Sequence, residues 1–554
     1  MAWSKKKVQQ VPIPSQYLTT SGDFVLPDDY KELDEEKQNI LKELLSDQEW
    51  RLEHLYYITN ENGEKMLFKM KPPQKFLFRH RWFWNLILKA RQLGMTTFIS
   101  IFFLDSVLFS ENQSALIIAH TLQSAREIFD TKIKFAFDNM PPWLREQFQV
   151  DTDNIYQLKF RTNGGSIAVS TSGRSSTVQF LHVSEFGIIC ARWPEKAVEI
   201  ATGAFQTIHK GNLVFVESTA KGRSGKFYDY CMQAMADAAA GKKLSMEDWK
   251  FFFFPWWEDP KYVLPGEFVL TKEMKEYFDV LEKKNNIPLT REQKHWYVKK
   301  AEKLQEDMYA EFPSIPEEAF KASIEGAYYS KQMNAAYAEK RITQVPHDKG
   351  LLVYTFWDLG VGDEMAIWFV QFYGNQIRLI DLHHASGEGL HQCVAVLQQK
   401  SIQHGYVYGG HYAPHDIEVR EMGNENVLSR KQIAASLGLQ FMVVRRAGID
   451  VGIDEARAMF NLCWFDEEKC DYGIRSLQEY RKKYDEKSAA YLPIPMKSWA
   501  NHASDAFRML AMSYKNFVGG NTQSTRVRDP DEIPIGEGSE DDMFDRFSPT
   551  GGAF

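Results

Sequence analysis

Short apolar strands alternate with helical stretches between about residues 75 and 235, and this alternation limits the possible folds more than any other feature. The strands are predicted at 83–90, 114–119, 176–183 and 212–218, and helices follow the first two at 96–109 and 124–140. Such an order is typical of a mostly parallel sheet with helices packed against it. We therefore expect an α/β fold.

A second α/β block begins near Leu351 and has a different order. Three strands come first, at 352–358, 365–372 and 376–382. A helix at 388–403, a strand at 406–411, another helix, a strand at 440–445 and a helix at 453–464 follow, and a final helix covers 503–516. This is the order of an RNase H-like domain. The chain therefore combines two unlike α/β folds.

The length and composition fit several globular domains. The 554 residues are 44% hydrophobic and 25% charged, which allows real cores to form. We expect an N-terminal helical segment at 1–60, an α/β core at 61–235, a helical connecting subdomain at 236–345, an RNase H-like domain at 346–517, and an acidic disordered tail at 518–554.

Charge and cysteine usage narrow the function classes. The net charge of −8 argues against a protein that coats DNA along its whole surface. None of the five cysteines forms a CxxC pair, so a zinc site is not expected. Scattered, unpaired cysteines are typical of proteins in a reducing cytoplasm. There is no signal-peptide pattern and no apolar run long enough for a bilayer. The longest such run, 251–257, is interpreted as a buried strand.

One strand-to-helix turn, LKARQLGMTT at 88–97, has the setting of a phosphate-binding loop. Loop amides and a helix N-terminus can hold an anion there. The segment departs from GxxxxGK[ST], because Lys89 replaces the first Gly and Met95 replaces the Lys. The residues expected to bind nucleotide are Lys89, Arg91, Gln92, Gly94, Thr96 and Thr97. The pattern alone leaves open an ordinary strand–turn–helix.

Carboxylates and small polar residues follow two more predicted strands: Ser184 and Glu185 after one, Glu217 and Thr219 after the other. A carboxylate at the tip of a buried strand can activate a water for attack on a γ-phosphate. Small polar residues at a strand tip can sense the phosphate. Upstream, the amide of Gln74 can read an adenine edge. Each of these residues also has an ordinary surface or turn interpretation.

Three aspartates occupy the stations at which an RNase H-like fold carries its acids. Asp358 ends the first strand, Asp416 follows the fourth, and Asp505 opens the last helix. Converging carboxylates are what a two-metal nuclease needs for Mg²⁺ or Mn²⁺. Asp363 and His502 are candidate auxiliary ligands. His411 and His415 are either close to the metal site or merely polar turn residues.

The segments LKARQLGMTT, ALIIAHT, LHVSEFG, VESTAKG and EFPSIPEEAF, in this order and at these intervals, resemble the ATPase of the large terminase subunit of tailed bacteriophages. The second block resembles the nuclease of the same family, so the resemblance covers about 70–517. It implies that the core at 61–235 is a P-loop (RecA/ASCE-like) ATPase and that the domain at 346–517 is an RNase H-like nuclease. That family tolerates phosphate-binding loops with the basic residue at the front. The resemblance implies that Lys89 contacts the γ-phosphate, with Arg91 as a second candidate, and that Thr96 or Thr97 offers a hydroxyl to Mg²⁺.

The resemblance assigns further roles. Ser184 and Glu185 match the Walker B motif of the family, in which Glu185 would activate the attacking water. The family more often has Asp at the position of Ser184. Glu217–Thr219 would form the motif that couples hydrolysis to movement. Arg126 and Arg174 are candidate arginine fingers. In the nuclease half, Asp358, Asp416 and Asp505 align with the metal-binding acids of the family.

The family implies the rest of the expectation. ATP and Mg²⁺ are the cofactors, with Mn²⁺ able to substitute in the nuclease site. The partners are double-stranded DNA, the small terminase subunit and the portal protein of the procapsid. The active chain would be a homo-oligomeric ring without membrane contact, in the cytoplasm of the bacterial host and transiently on the procapsid. The acidic tail, 519–554, is a hypothetical portal-docking peptide.

Three other functions stay open from the sequence. A helicase-nuclease would need a second RecA-like domain where the acid-bearing block lies. An RNase H-like recombinase or transposase would carry out strand transfer without ATP hydrolysis. A portal adaptor would retain the nucleotide-binding fold without ATPase activity. Met95 and Ser184 allow this alternative, because they replace the usual Lys and Asp of the two nucleotide motifs.

Overall fold

The computed structural model describes residues 15–18, 26–27, 29–173, 177–223, 225–320, 326–359, 364–418, 428–485, 488 and 490–518. The predicted roles of Arg174, Asp363 and the tail 519–554 lie outside these residues. Contacts divide the chain into two compact units, Met1–Lys331 with Gln478–Ser498, and Gln332–Leu477 with Trp499–Phe554. Each unit contains one of the two predicted folds.

The strands, in chain order, are β1 (Tyr57–Thr59), β2 (Lys65–Leu67), β3 (Trp84–Lys89), β4 (Ser114–Ile118), β5 (Val150–Asn154), β6 (Gln157–Phe160), β7 (Ser166–Ser170), β8 (Phe180–Ser184), β9 (Leu213–Ser218), β10 (Trp249–Phe254), β11 (Ile342–Thr343), β12 (Val353–Leu359), β13 (Glu364–Tyr373), β14 (Gln376–Ser386), β15 (Tyr408–Ala413), β16 (Phe441–Val443), β17 (Cys463–Asp466), β18 (Lys482–Asp485) and β19 (Ala490–Pro495).

The α-helices are α1 (Glu35–Ser46), α2 (Gln48–His54), α3 (Pro72–His80), α4 (Met95–Leu108), α5 (Leu122–Ile128), α6 (Phe135–Asp138), α7 (Pro142–Arg145), α8 (Phe186–Arg192), α9 (Pro194–Thr202), α10 (Gly225–Ala239), α11 (Lys272–Lys283), α12 (Arg291–Leu304), α13 (Met308–Glu311), α14 (Pro316–Ala319), α15 (Ser330–Ala338), α16 (Leu390–His404), α17 (Arg430–Ser436), α18 (Ile449–Met459), α19 (Asp471–Glu479) and α20 (Asn501–Ala511). The predicted helix 124–140 is divided, because a π-helical turn at Phe129–Lys134 separates α5 from α6.

The first unit is built on a sheet that, within the described residues, has eight strands in the order β10-β3-β9-β8-β4-β7-β6-β5. All neighbours from β10 to β7 run parallel, and β6 and β5 add an antiparallel extension. Because β9 lies between β3 and β8, the order is that of the RecA/ASCE class of P-loop folds. The predicted ATPase fold is therefore confirmed.

Alternate residues of β3 enter two different cores. Ile87 packs in the core on one face of the sheet, while Leu86 and Leu88 pack in the core on the other face. A strand buried on both faces is expected in a parallel sheet covered by helices. The apolar segment at 251–257 is only partly a strand. The strand β10 ends at Phe254, and a 3₁₀ turn follows at Trp256–Glu258.

The second unit contains a sheet that, in the described part of the chain, has seven strands in the order β11-β17-β14-β13-β12-β15-β16. The first three core strands pair antiparallel, and β15 and β16 run parallel to β12. The core order β14-β13-β12-β15-β16 is that of RNase H, as predicted. The strand β17 and the helix α19 were not predicted.

The two faces of β12 have different neighbours. Val353, Trp357 and Leu359 enter a core that also contains residues of β13 and α16. Tyr354 and Phe356 alternate with them, and Asp358 shares their face by parity. On that side Tyr354 contacts Phe517, beyond the end of α20, with ring centroids 4.6 Å apart. The strand thus delivers Asp358 to the face on which the last helix packs.

All five cysteines are buried and unpaired. Among the residues described, no helix combines the length and apolar character needed to cross a bilayer.

Candidate functional site

The loop between β3 and α4 has the shape of an anion cradle. Two of its residues adopt left-handed backbone conformations, Gln92 with φ 61° and Gly94 with φ 72°. These turns bring the chain to the N-terminus of the 14-residue helix α4, where Met95 is the first helical residue. The first amides of a helix have no partner within the helix and favour an anion. The loop therefore has the geometry expected of a phosphate-binding site.

Gln74 lies beneath this loop, buried on the helix α3. Its Nε2 donates to the carbonyls of Leu93 at 3.2 Å and Gly94 at 3.0 Å, and its Oε1 accepts from the Lys71 amide at 2.9 Å. A Cβ on Gly94 would meet Nε2 at 2.9 Å. The nitrogen of the amide therefore holds the loop, and its oxygen caps the start of α3. Contact with adenine stays a prediction.

Lys89, the last residue of β3, is buried between two carboxylates. Its Nζ lies 2.9 Å from Oε1 of Glu185 and 3.2 Å from Oε2 of Glu217. Burial alone would lower the pKa of Lys89, but the two carboxylates outweigh it and raise that pKa. Burial would likewise raise the pKa of Glu217, but the charge of Lys89 outweighs it and lowers that pKa. The lysine and Glu217 are therefore both charged.

Two hydroxyls converge on the same buried carboxylate. Thr96 Oγ1 donates to Oε1 of Glu217 at 2.6 Å, and Ser184 Oγ donates to the same atom at 3.0 Å. The two hydroxyl oxygens are 3.5 Å apart. Thr97 is half-buried and has no described contact with this cluster. Of the two predicted threonines, the geometry thus favours Thr96 as the Mg²⁺ neighbour, with Ser184 beside it.

Glu185 stands at a turn between β8 and α8. Although it is not glycine, it adopts a left-handed conformation with φ 55° and ψ 46°. Such strain is commonly found at functional sites. One oxygen contacts Lys89, and the other accepts from Ser218 Oγ at 3.2 Å. The carboxylate of Glu185 thus links Lys89, at the end of β3, to Ser218, at the end of β9. Ser218 lies within the segment Glu217–Thr219, which is predicted to couple hydrolysis to movement.

Glu185 and Thr219 line a cavity of about 550 Å³ together with Arg91. Arg91 itself is 61% exposed and pairs with Glu311 at 3.1 Å, while Lys221 pairs with the other Glu311 oxygen at 2.5 Å. Lys89 is therefore the residue next to the carboxylates, and Arg91 faces the cavity from its rim. The candidate finger Arg126 is an exposed residue paired with Asp130 at 3.6 Å.

The second unit brings its acids toward one another. Asp358 accepts a hydrogen bond from His502 Nδ1 at 2.8 Å, and Asp505 pairs with Arg508 at 2.9 Å. Burial raises the pKa of Asp358, the charges of Asp505 and Asp416 raise it further, and the His502 bond opposes them. Asp416 lies in the 3₁₀ turn His415–Glu418 after β15. The predicted aspartates therefore share one electrostatic environment.

The donor chemistry of this group fits a divalent cation, because carboxylate oxygens are the preferred ligands of Mg²⁺ and Mn²⁺. A cation would also relieve the repulsion from Asp505 and Asp416, which adds to the effect of burial in raising the pKa of Asp358. In the described ranges, which omit 360–363 and 419–427, no three His, Cys, Asp or Glu side chains are grouped closely enough to hold a metal ion. Metal binding by Asp358, Asp416 and Asp505 stays a prediction.

The sequence interpretation missed several neighbours of these sites. Glu364, the first residue of β13, accepts from Tyr472 Oη at 3.0 Å, and its charge contributes to raising the pKa of His502. Glu311 opens the EFPSIPEEAF segment but was not singled out. His411 lies away from Asp358, because it contacts Thr355 at 2.7 Å on the opposite face of β12.

Strand order and clustered side chains together define the class of the chain, a P-loop ATPase fold joined to an RNase H-like fold. No family model and no curated protein matches it. Its fold is similar to solved large terminases. The HK97 bacteriophage large terminase is 12% identical, over 84% of this chain and 99% of that chain, with a TM-score of 0.42.

Two further solved structures are also similar. A large terminase from a thermophilic bacteriophage, in complex with ATP-γ-S, is 13% identical, over 80% of this chain and 98% of that chain, with a TM-score of 0.28. The large terminase nuclease of thermophilic phage G20c with bound cobalt is 14% identical, over 34% of this chain and 97% of that chain, with a TM-score of 0.24.

Proposed function

We propose that the chain is a DNA-packaging motor of the large-terminase type, in which an ATPase drives double-stranded DNA into a procapsid and a metal-dependent nuclease cuts concatemeric DNA. The observation that carries the proposal is the cluster of Lys89, Glu185, Glu217, Thr96 and Ser184 at the N-terminus of α4. This cluster supplies the cation, the carboxylates and the hydroxyls that phosphoryl transfer from MgATP requires.

Each part has a distinct task in the ATPase reaction. The amides at the start of α4 bind the phosphates. Thr96 and Ser184 would hold Mg²⁺, which would neutralise charge on the phosphate oxygens. Glu185 orients a water and takes its proton. When nucleotide enters, Lys89 can exchange its contact with Glu185 for the γ-phosphate while it keeps the contact with Glu217.

The nuclease half has its own chemistry. Asp358, Asp416 and Asp505 would hold Mg²⁺ or Mn²⁺, and such an ion would supply activation of a water and stabilisation of negative charge on the phosphate. His502 holds Asp358 in place through Nδ1. Double-stranded DNA, the small terminase subunit and the portal of the procapsid are the proposed partners. The proposed working form is a homo-oligomeric ring on the procapsid, in the host cytoplasm.

The test is a packaging assay with procapsids that carry the portal, the small subunit and linear double-stranded DNA. Wild type should protect DNA from added DNase only with ATP. Glu185→Gln should protect none, and Glu195→Gln, an exposed glutamate on α9, should act as wild type. ATP-driven separation of the strands without protection would indicate a helicase-nuclease, and strand transfer without ATP turnover would indicate a recombinase. Either result would overturn the proposal.

A further inference from the structure

A β-hairpin that comes late in the sequence belongs to the ATPase unit. The strands β18 and β19 pair antiparallel, and their segment, Gln478–Ser498, is grouped with the first unit rather than with the nuclease fold that surrounds it in sequence. Residues of this hairpin line the 550 Å³ cavity that Glu185 and Thr219 also line. One wall of the candidate nucleotide cavity is thus supplied from beyond residue 477.

Arg481, just before β18, is the buried cation of this wall. It is 4% exposed and lies 2.6 Å from Glu479, which is also buried. Its Nε makes no hydrogen bond with any residue that the structure describes. A buried guanidinium donor without an acceptor is costly, and the acceptor oxygens of a ligand in the adjoining cavity would satisfy it.

The backbone holds Arg481 firmly at the cavity. Its carbonyl accepts from the Met496 amide at 2.9 Å, and the adjacent Lys482 amide donates to Gly326 at 3.0 Å. The backbones of Arg481 and Ala327 also form an antiparallel β-bridge. The backbone of Arg481 is thus fixed on both sides, and its guanidinium pairs with Glu479. A cation held in this way before the ligand binds has the preorganisation that electrostatic stabilisation of a transition state requires.

The hairpin is also attached to the helix that follows Glu185. The Arg192 guanidinium lies 4.7 Å from the ring centre of Tyr484, and Arg192 ends α8. On the other strand, Tyr491 packs so closely on Gly326 that a Cβ there would meet its ring at 2.9 Å. The contact between Arg192 and Tyr484 ties the wall that carries Arg481 to the helix that follows the water-activating carboxylate, and the contact between Tyr491 and Gly326 holds the second strand of the hairpin.

We propose that Arg481 is a phosphate-contacting arginine supplied in cis, which binds the γ-phosphate of ATP held in this cavity. This inference depends on the proposed ATPase. In the reaction, the water oxygen bonds to the γ-phosphorus while a water proton passes to Glu185. The bond from the γ-phosphorus to the β,γ-bridging oxygen breaks, and its electron pair leaves with ADP. Arg481 stabilises the negative charge that develops on the transferred group.

The test compares ATP turnover and ADP affinity of the full chain across matched variants. Arg481→Ala should lower kcat by about 10²-fold or more, within the range for loss of such an arginine or of an oxyanion donor, and should change the Kd for ADP less than about 3-fold. Lys483→Ala, an exposed neighbour, should match wild type. If Arg481→Ala does not fold, Arg481→Lys replaces it, with an expected kcat loss of about 10-fold or more.

Glu479→Gln separates chemistry from architecture, because it breaks the buried pair but keeps the guanidinium. It should retain most of the turnover, whereas a merely structural role predicts the same loss as Arg481→Ala. A mixture of Arg481→Ala and Glu185→Gln chains should stay inactive, since each site needs both groups on one chain. Recovery in the mixture, or full activity of Arg481→Ala, overturns this inference alone. A wild type that never hydrolyses ATP overturns the proposed function instead.

Discussion

The contact between Lys89 and Glu217 should be a measurable part of the stability of the first unit. Lys89→Met keeps the length of the side chain but leaves Glu217, which is fully buried, without its cation. At 3.2 Å and an effective dielectric constant of about 20, the lost attraction is about 5 kcal/mol. The hydrogen bonds from Thr96 and Ser184 remain, so we expect a net loss of about 3 kcal/mol, at the lower end for a broken buried pair.

This loss should appear in calorimetry at pH 7 as a downward shift of about 6 °C in the transition of the first unit, at about 2 °C per kcal/mol for a large domain. Adding Glu217→Gln to Lys89→Met should restore about 2 kcal/mol, since no charge is then left buried. Lys75→Met is the control, because its pair with Glu53 at 2.8 Å is partly exposed and should contribute less than about 1 kcal/mol.

The difference in the free energy of unfolding between wild type and Lys89→Met should depend on pH in a defined direction. The pKa of Glu217 is lowered from 4.5, so its contribution is present above about pH 4.5 and is lost in more acid solution. The pKa of Lys89 is raised from 10.5, so its contribution is present below about pH 10.5. The difference between wild type and Lys89→Met should therefore be constant from pH 6 to pH 9. A difference below about 1 kcal/mol, or a double variant no more stable than Lys89→Met, would refute the reasoning.

Three more predictions test other parts of the structure. Gly94→Ala should destabilise the first unit by about 1–2 kcal/mol and raise the KM for ATP, because its Cβ meets Gln74. Gly63→Ala, with a similar φ of 80° and open space around it, should cost similar stability without affecting KM; equal KM values for the two would contradict the role of Gln74. Burial lowers the pKa of His411 from 6.5 to about 4, so this histidine stays neutral in the folded state while it is protonated in the unfolded state. As the pH falls from 6.5 to 4, the free energy of unfolding of the second unit should therefore decrease by about 2 kcal/mol more in wild type than in His411→Gln. The same pH dependence in both proteins would contradict this prediction. Mn²⁺ should raise the melting temperature of the second unit in wild type and in Asp454→Asn, an exposed control, but not in Asp358→Asn; an equal rise in all three would show that the ion binds elsewhere.

The strand–helix alternation predicted the central strands because each is a continuous apolar run flanked by polar turns. β3, β4 and β9 begin and end within about one residue of the predicted bounds. The strand β7 and the extension β5–β6 were missed. All three strands are short, and β5 is polar and mostly exposed, so no long apolar run marks them. The pairing of the extension depends on the edge of β7, which local sequence does not encode.

The candidate sites show a similar division. Glu185 and Asp358 were predicted from their positions at strand ends, since parallel strands deliver their carboxyl ends to one edge of the sheet. The sequence did not indicate that Glu217 would accept both hydroxyls and contact Lys89, because these contacts join residues 121, 33 and 128 positions apart. The wall that contains Arg481 lies further still from Glu185 in the sequence. Such long-range pairing follows from the folded sheet and not from any local pattern.

The most direct test of the central claim is a parallel measurement of ATP turnover and of plasmid cleavage in Mn²⁺, for wild type, Glu185→Gln and Asp358→Asn. We predict that Glu185→Gln abolishes turnover and leaves cleavage intact, and that Asp358→Asn abolishes cleavage and leaves turnover intact. That result would establish two separate sites in one chain. Wild type that cleaves DNA but never hydrolyses ATP, even with procapsids present, would contradict the motor and favour a recombinase-like enzyme.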